Sequence, residues 1–184
     1  MGPASSTDAA PGDLLVRARA GDATAWAALT RRYAGMLWAI ARMHGLREAD
    51  AADVVQTTWL RLVERLDGIR SPERVGAWLA VTARRESLRL ARHHGRDRPA
   101  GAALSALPAA TPGPDDVCVA RDRLRLVLTA VQALPARCRH ILRLCALAPG
   151  YAEIAAALDI PIGSVGPTRA RCLAALRTRI RGLA

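Results

Sequence analysis

The chain has 184 residues, about half of them apolar, which is room for one ordinary domain or two small ones around a packed core. Its formal charge of +11 comes from 27 basic residues, all Arg, against 16 acids, a balance suited to a polyanionic partner such as nucleic acid or an anionic surface. No stretch nears the roughly 20 apolar residues of a membrane span, and Leu14-Leu15-Val16, cut short by Arg17, is too brief for a signal peptide; a cytoplasmic protein with no stable membrane insertion is expected.

Phe is absent and Trp and Tyr are scarce, so the core must come from Ala, Leu, Val and Ile, a mixture that leans helical. Residues 1–12 read as disordered. From Asp13 to about His94 apolar residues recur at helical spacing, and no run alternates long enough for a strand. Breaks at Ala20-Gly21-Asp22, His44-Gly45-Leu46 and Asp67 to Pro72 leave helices near 13–19, 23–43, 48–66 and 72–94. Ser71-Pro72-Glu73 has the N-cap, first-turn proline and acid that start a helix. Residues 99–115, rich in Pro, Gly and Ala and without period, read as a flexible linker that could span up to about 55 Å. Helical periodicity returns near 116–133, 135–147, 151–158 and 164–181. The expected fold is all-α, with two small helical domains at 13–98 and 116–184. Each is basic by itself, with 16 Arg against 10 acids and 11 Arg against 4.

The helix over 48–66 has two characters. Val55, Trp59, Leu62, Val63 and Leu66 form its expected buried stripe, while Asp50, Asp53, Gln56, Thr57, Leu60 and Glu64 form an acidic and apolar outer face. That face would repel DNA and suits a basic protein surface, although an ordinary solvated face has the same pattern. The next helix carries Arg85, Arg89, Arg92 and, if extended, Arg96 as one stripe, flanked by Arg84, His93 and Arg98, with Glu86 and Asp97 opposing. So dense a stripe favours nucleic acid. Trp78, near the start of that helix, is by default a core residue; the sharper reading is stacking on an unpaired base.

The segment YAEIAAALDIPIGSVGPTRARCLAALRTRI (151–180) has the spacing of a helix-turn-helix. Asp159-Ile160-Pro161 is a tight turn, Ser164 is the expected N-cap of the second helix, and Pro167 sits in its first turn, where a missing N–H costs nothing. Val165, Cys172 and Leu176 share one face; Gly166, Pro167, Thr168 and Arg171 share another, and a major groove accepts such a helix. Arg169 and Arg171 are expected at guanine edges or phosphates. The four cysteines (Cys118, Cys138, Cys145, Cys172) form no CxxC pair and read as small buried thiols in a reducing compartment, with a zinc site as the minor alternative.

Taken in order, these segments resemble a sigma-70-family RNA polymerase sigma factor of the extracytoplasmic-function type. DAADVVQTTWLRLVERL (50–66) is similar to the family's polymerase-binding helix, AWLAVTARRESLRLARHH (77–94) to its −10 helix, and 134–144 with the helix-turn-helix to its −35 domain. The resemblance implies a non-enzymatic protein that binds core RNA polymerase through Asp50, Asp53, Gln56 and Leu60. It implies −10 binding through Trp78, Arg84, Arg85, Arg89 and Arg92, and −35 binding through Ser164, Pro167, Thr168, Arg169 and Arg171. An anti-sigma factor is a common further partner in the family. Relatives often have Asn at Arg85, a basic residue, Ser and Arg at Gly166-Pro167-Thr168, and Leu at Arg169, so no promoter sequence carries over. The chain ends at Ala184, directly after its last helix, so no extra regulatory domain is expected. The rival class is a stand-alone helix-turn-helix regulator, which would not need the acidic face and would usually need a dimer seam. An enzyme has little support: no nucleophile set, Walker loop or metal cluster is visible, and neither cofactor nor small-molecule substrate is expected.

Overall fold

Asp22 shows how this chain starts a helix. Its carboxylate accepts hydrogen bonds from the backbone N–H of Thr24 (2.8 Å) and Ala25 (3.2 Å) and an ion pair from Arg17 (2.7 Å). These contacts hold the carboxyl well below the usual range, the Thr24 hydroxyl contributing most. Gly21, at φ 87°, turns the chain just before it. The computed structural model describes residues 9–94, 117–147 and 150–183. The expected linker lies outside the described residues, as do Arg96 and Arg98.

Eight α-helices are described: α1 (Pro11–Arg19), α2 (Ala23–Met43), α3 (Glu48–Glu64), α4 (Val75–His94), α5 (Val117–Gln132), α6 (Ala136–Ala146), α7 (Tyr151–Leu158) and α8 (Val165–Leu183). The described residues contain no strand, as the periodicity predicts. Most helix ends fall within two residues of expectation, and the start of the first and fourth helices shows how they differ. α1 begins at Pro11, two residues early, and α4 is preceded by a 3₁₀ turn, Pro72–Arg74, in which the Ser71 side chain makes no capping bond.

α2 packs against α1, α3 and α4 around Leu14, Leu15, Leu29, Leu37, Ile40, Leu62 and Leu79, all fully buried. α3 is rotated from the expected stripe. Its buried line is Ala51, Val54, Thr58 and Leu62, whereas Val63 is 55% exposed and Val55 and Trp59 are half-buried. Small residues let α3 lie close to α2 and α4, and the Thr58 hydroxyl is tolerated inside because it donates to the Val54 carbonyl at 2.7 Å.

α6 and α5 pack on α8, with Leu134, Ile141, Leu144 and Val165 buried. A disulfide joins Cys138 of α6 to Cys172 of α8, with Cα atoms 5.2 Å apart. This overturns the expectation of two buried thiols: the helices bring together side chains 34 positions apart, which no local spacing reveals. Cys145 is a free, half-buried thiol.

The two groups of helices are not set apart. α7 lies along α4, and α6 touches α2. A Cβ on Gly76 of α4 would stand 2.8 Å from both Glu153 Cγ and Tyr33 Cε1, and one on Gly35 of α2 would stand 3.2 Å from Leu147 Cδ2. Arg84 of α4 pairs with Asp159 at 2.9 Å, and Ile154, Ala155 and Ala157 of α7 join the core that α1–α4 build.

Candidate functional site

Three surfaces emerge. On α3, Asp53, Gln56, Leu60, Val63 and Glu64 all face solvent, Leu60 at 57% exposure, while Asp50 is half-buried. The outer face of α3 therefore keeps Asp53, Gln56, Leu60 and Glu64 of the expected set and gains Val63, whereas Asp50 and Thr57 are half-buried. A groove between α3 and α4 borders it, lined by Asp53, Gln56, Thr57, Glu86, Arg89 and Leu90. Glu86 is nearly buried at its floor, and its two carboxylate oxygens accept from Arg61 (2.8 Å) and Arg89 (2.9 Å).

On α4 the arginines divide by partner. Arg85 and Arg92 are exposed. Arg89 is exposed along most of its length but tied to Glu86, so it bridges the α4 face and the α3 groove. Arg84 is largely covered and paired with Asp159 of the second unit. Trp78 is half-buried against the core, in line with its default role. The sequence counted Glu86 as one opposing charge; its buried position between two arginines could not be read from spacing.

On α8 the turn takes the expected shape. Asp159 adopts the left-handed conformation (φ 55°, ψ 50°), which Asp tolerates better than most residues, and the Ile160 N–H closes the turn on the Ala155 carbonyl at 3.1 Å. Pro167, Arg169 and Arg171 are exposed, and Ser164 is half-buried. Thr168 turns inward at 6% exposure, where its hydroxyl accepts from the Arg171 guanidinium at 3.5 Å. Thr168, expected from spacing on the exposed face, is thus covered and reaches that face only through Arg171. Tyr151 (45% exposed) and Ile162 (57%) flank the start of this helix; the sequence reading assigned neither, and only their large apolar surface outside the core marks them.

The seam between the units gathers positive charge. Burial, aided by Arg84 and by His140, lowers the His44 pKa; burial, then Arg139 and Arg143, lowers that of His140; and burial with Arg42 nearby lowers that of Arg143. For a histidine held neutral by its surroundings, the stabilisation is present above the free value of about 6.5 and is lost as pH falls through the lowered folded value. Intramolecular packing of α6 on α2 is therefore expected to loosen between pH 7.5 and pH 5. Small-angle scattering across that range checks this, and a His44→Gln, His140→Gln variant should lose most of the pH response. An unchanged profile in wild type would refute the role of these histidines. No helix among the described residues is long and apolar enough to cross a membrane, and no group of three or more His, Cys, Asp or Glu among them could hold a metal.

These features define an all-helical protein with a helix-turn-helix and a separate basic helix. Residues 29–97 match the family Sigma-70 region 2. Among solved structures the chain is similar to that of CnrH in complex with the cytosolic domain of CnrY, at 25% identity and a TM-score of 0.56, covering 95% of this chain and 99% of that one. No curated protein matches the chain by sequence. Residues 29–97 thus carry a region 2 domain of the sigma-70 family.

Proposed function

We propose that the protein is a promoter-specificity subunit of RNA polymerase, binding the core enzyme and directing it to −35 and −10 elements to begin transcription. The observation that carries this reading is the outer face of α3, where Asp53, Gln56 and Glu64 surround exposed Leu60 and Val63 on a chain of charge +11. A DNA-binding protein has no use for such a face against DNA; a basic protein surface complements it. Asp50, half-buried at the start of the same helix, belongs to this docking set. On α4, Arg85, Arg89 and Arg92, with Arg84 and Trp78, serve the melted −10 strand, and the second unit (116–184) serves the −35 duplex through Ser164, Pro167, Arg169 and Arg171, with Thr168 holding Arg171. Arg84 is available only once Asp159 lets it go, so full promoter contact entails α7 leaving α4. Similarity to CnrH, a protein solved with the cytosolic domain of CnrY, supports a protein that sequesters this chain as a further partner.

Core polymerase plus this chain should transcribe from a cognate promoter, and Asp53→Arg should abolish polymerase binding while leaving helical content unchanged. Wild-type affinity in that variant would sink the docking assignment. DNA binding without any polymerase association would instead favour a stand-alone regulator.

A further inference from the structure

The outward face of α8 is chemically sparse. Pro167, Ala170, Arg171 and Ala174, at positions i, i+3, i+4 and i+7, share one side of the helix and all four are exposed. The opposite side holds Val165, Thr168 and Cys172, buried and fixed to α6 by the disulfide, so α8 cannot roll to present another face. Along this row Arg171 alone has a side-chain hydrogen-bonding group. Pro and Ala side chains neither donate nor accept. Thr168, the nearest hydroxyl, points inward.

We propose that this face selects duplex DNA through thymine methyl groups, with Pro167 and Ala170 as the apolar readers and Arg171 as the single polar one. The inference rests on the −35 assignment of α8 and adds to it the kind of base recognised. A side chain without donors or acceptors distinguishes bases in the major groove only by shape, and the feature it can favour there is the thymine C5-methyl. Arg171 suits the paired acceptors of a guanine, O6 and N7. Charge complementarity makes DNA the occupant of this apolar row: Arg169, Arg171, Arg177, Arg179 and Arg181 lie on α8, which carries no acid.

The test uses core polymerase carrying the full chain and a duplex library randomised over the −35 region. The selected element should contain a guanine with thymines beside it. In the best selected duplex, each thymine is then replaced by deoxyuridine, which keeps pairing and removes only the methyl. Binding should fall about fourfold at one or two positions, the size expected for loss of a buried methyl. In Ala170→Gly the corresponding penalty should vanish, and Ala170→Gln should move the selected base at that position toward adenine. Deoxyuridine duplexes that all bind as tightly as the parent, or a selected element without thymine, would overturn the proposal and leave the −35 assignment standing. Recovery of no preferred element in this region would overturn both.

Discussion

Gly76→Val should push α7 off α4 while leaving the first four helices folded. The β-carbon alone would lie 2.8 Å from Glu153 Cγ and from Tyr33 Cε1, and Glu153 Oε1 crowds the same point. Part of the Glu153 side chain can swing away, but the Tyr33 ring is buried and cannot. Two effects oppose each other. Replacing a helical glycine by alanine gains roughly 1 kcal/mol of helix propensity, whereas forcing added atoms into a filled space costs roughly 1–3 kcal/mol. For Gly76→Ala the two nearly balance. Valine has weaker helix propensity and two further carbons, so the steric cost wins. The expected observations are a larger radius of gyration, loss of the Arg84–Asp159 pair, and an unfolding transition that separates into two. Tyr33 offers a second readout. Burial, with Glu153 beside it, pushes its pKa up to about 12, and an opened chain should bring it back toward 10 in a spectroscopic titration. Glu153→Ala in the same chain should restore part of the closure. A single transition with unchanged dimensions in Gly76→Val would show that α7 never depended on this glycine.

Removing the disulfide should cost the second group of helices more than any single side chain on its surface. Cys138 and Cys172 close a loop of 34 residues, and a loop of that length is worth about 3–4 kcal/mol of denatured-state entropy. The α5–α8 group has few large buried side chains, chiefly Leu134, Ile141, Leu144, Ile154 and Val165, so that sum is a large share of its stability. Cys138→Ala is expected to lower the urea midpoint, and reductant should do the same to wild type but not to the variant. Cys145 supplies the internal control: Cys145→Ala should leave the reductant effect intact. Equal midpoints with and without reductant would remove the disulfide from the stability account.

Both results depend on features hidden from the sequence, and the reason is the same in each case. Helices were legible because Ala and Leu recur at helical spacing between Gly, Pro and Asp breaks, and the Asp159-Ile160-Pro161 turn because short polar and proline residues leave few ways to continue a helix. These are local signals. Gly76, by contrast, is an unremarked residue in the first turn of α4 until Glu153, 77 positions later, comes to rest on it. Cys138 and Cys172 belong to different helices, and their meeting is a product of packing. The rotation of α3 has a related origin. Sequence reading gave the buried side to the largest apolar residues, but two neighbouring helices crowd α3, so Ala51 and Thr58 went inside and Val63 went out. Most of the outer face survived that error because Asp53 and Glu64 are kept in solvent whichever apolar residues turn inward. Within the candidate DNA surfaces, exposure of Pro167, Arg169 and Arg171 followed from helix phase, whereas the engagement of Arg84 and Arg89 with acids could not.

α7 answers to two neighbours at once. It is the first half of the helix-turn-helix, and it is also a cover over α4, with Asp159 shaping the turn toward α8 and gripping Arg84 in the other direction. The C-terminal group is therefore not an exchangeable cassette. Grafted onto a first unit without Arg84 and Gly76, it would bring a turn acid with no arginine to hold and a Glu153 with no glycine to rest on. A swap of this segment should stay packed only when Gly76 and Arg84 travel with it, and chimeras that omit them should behave as two loosely tethered parts.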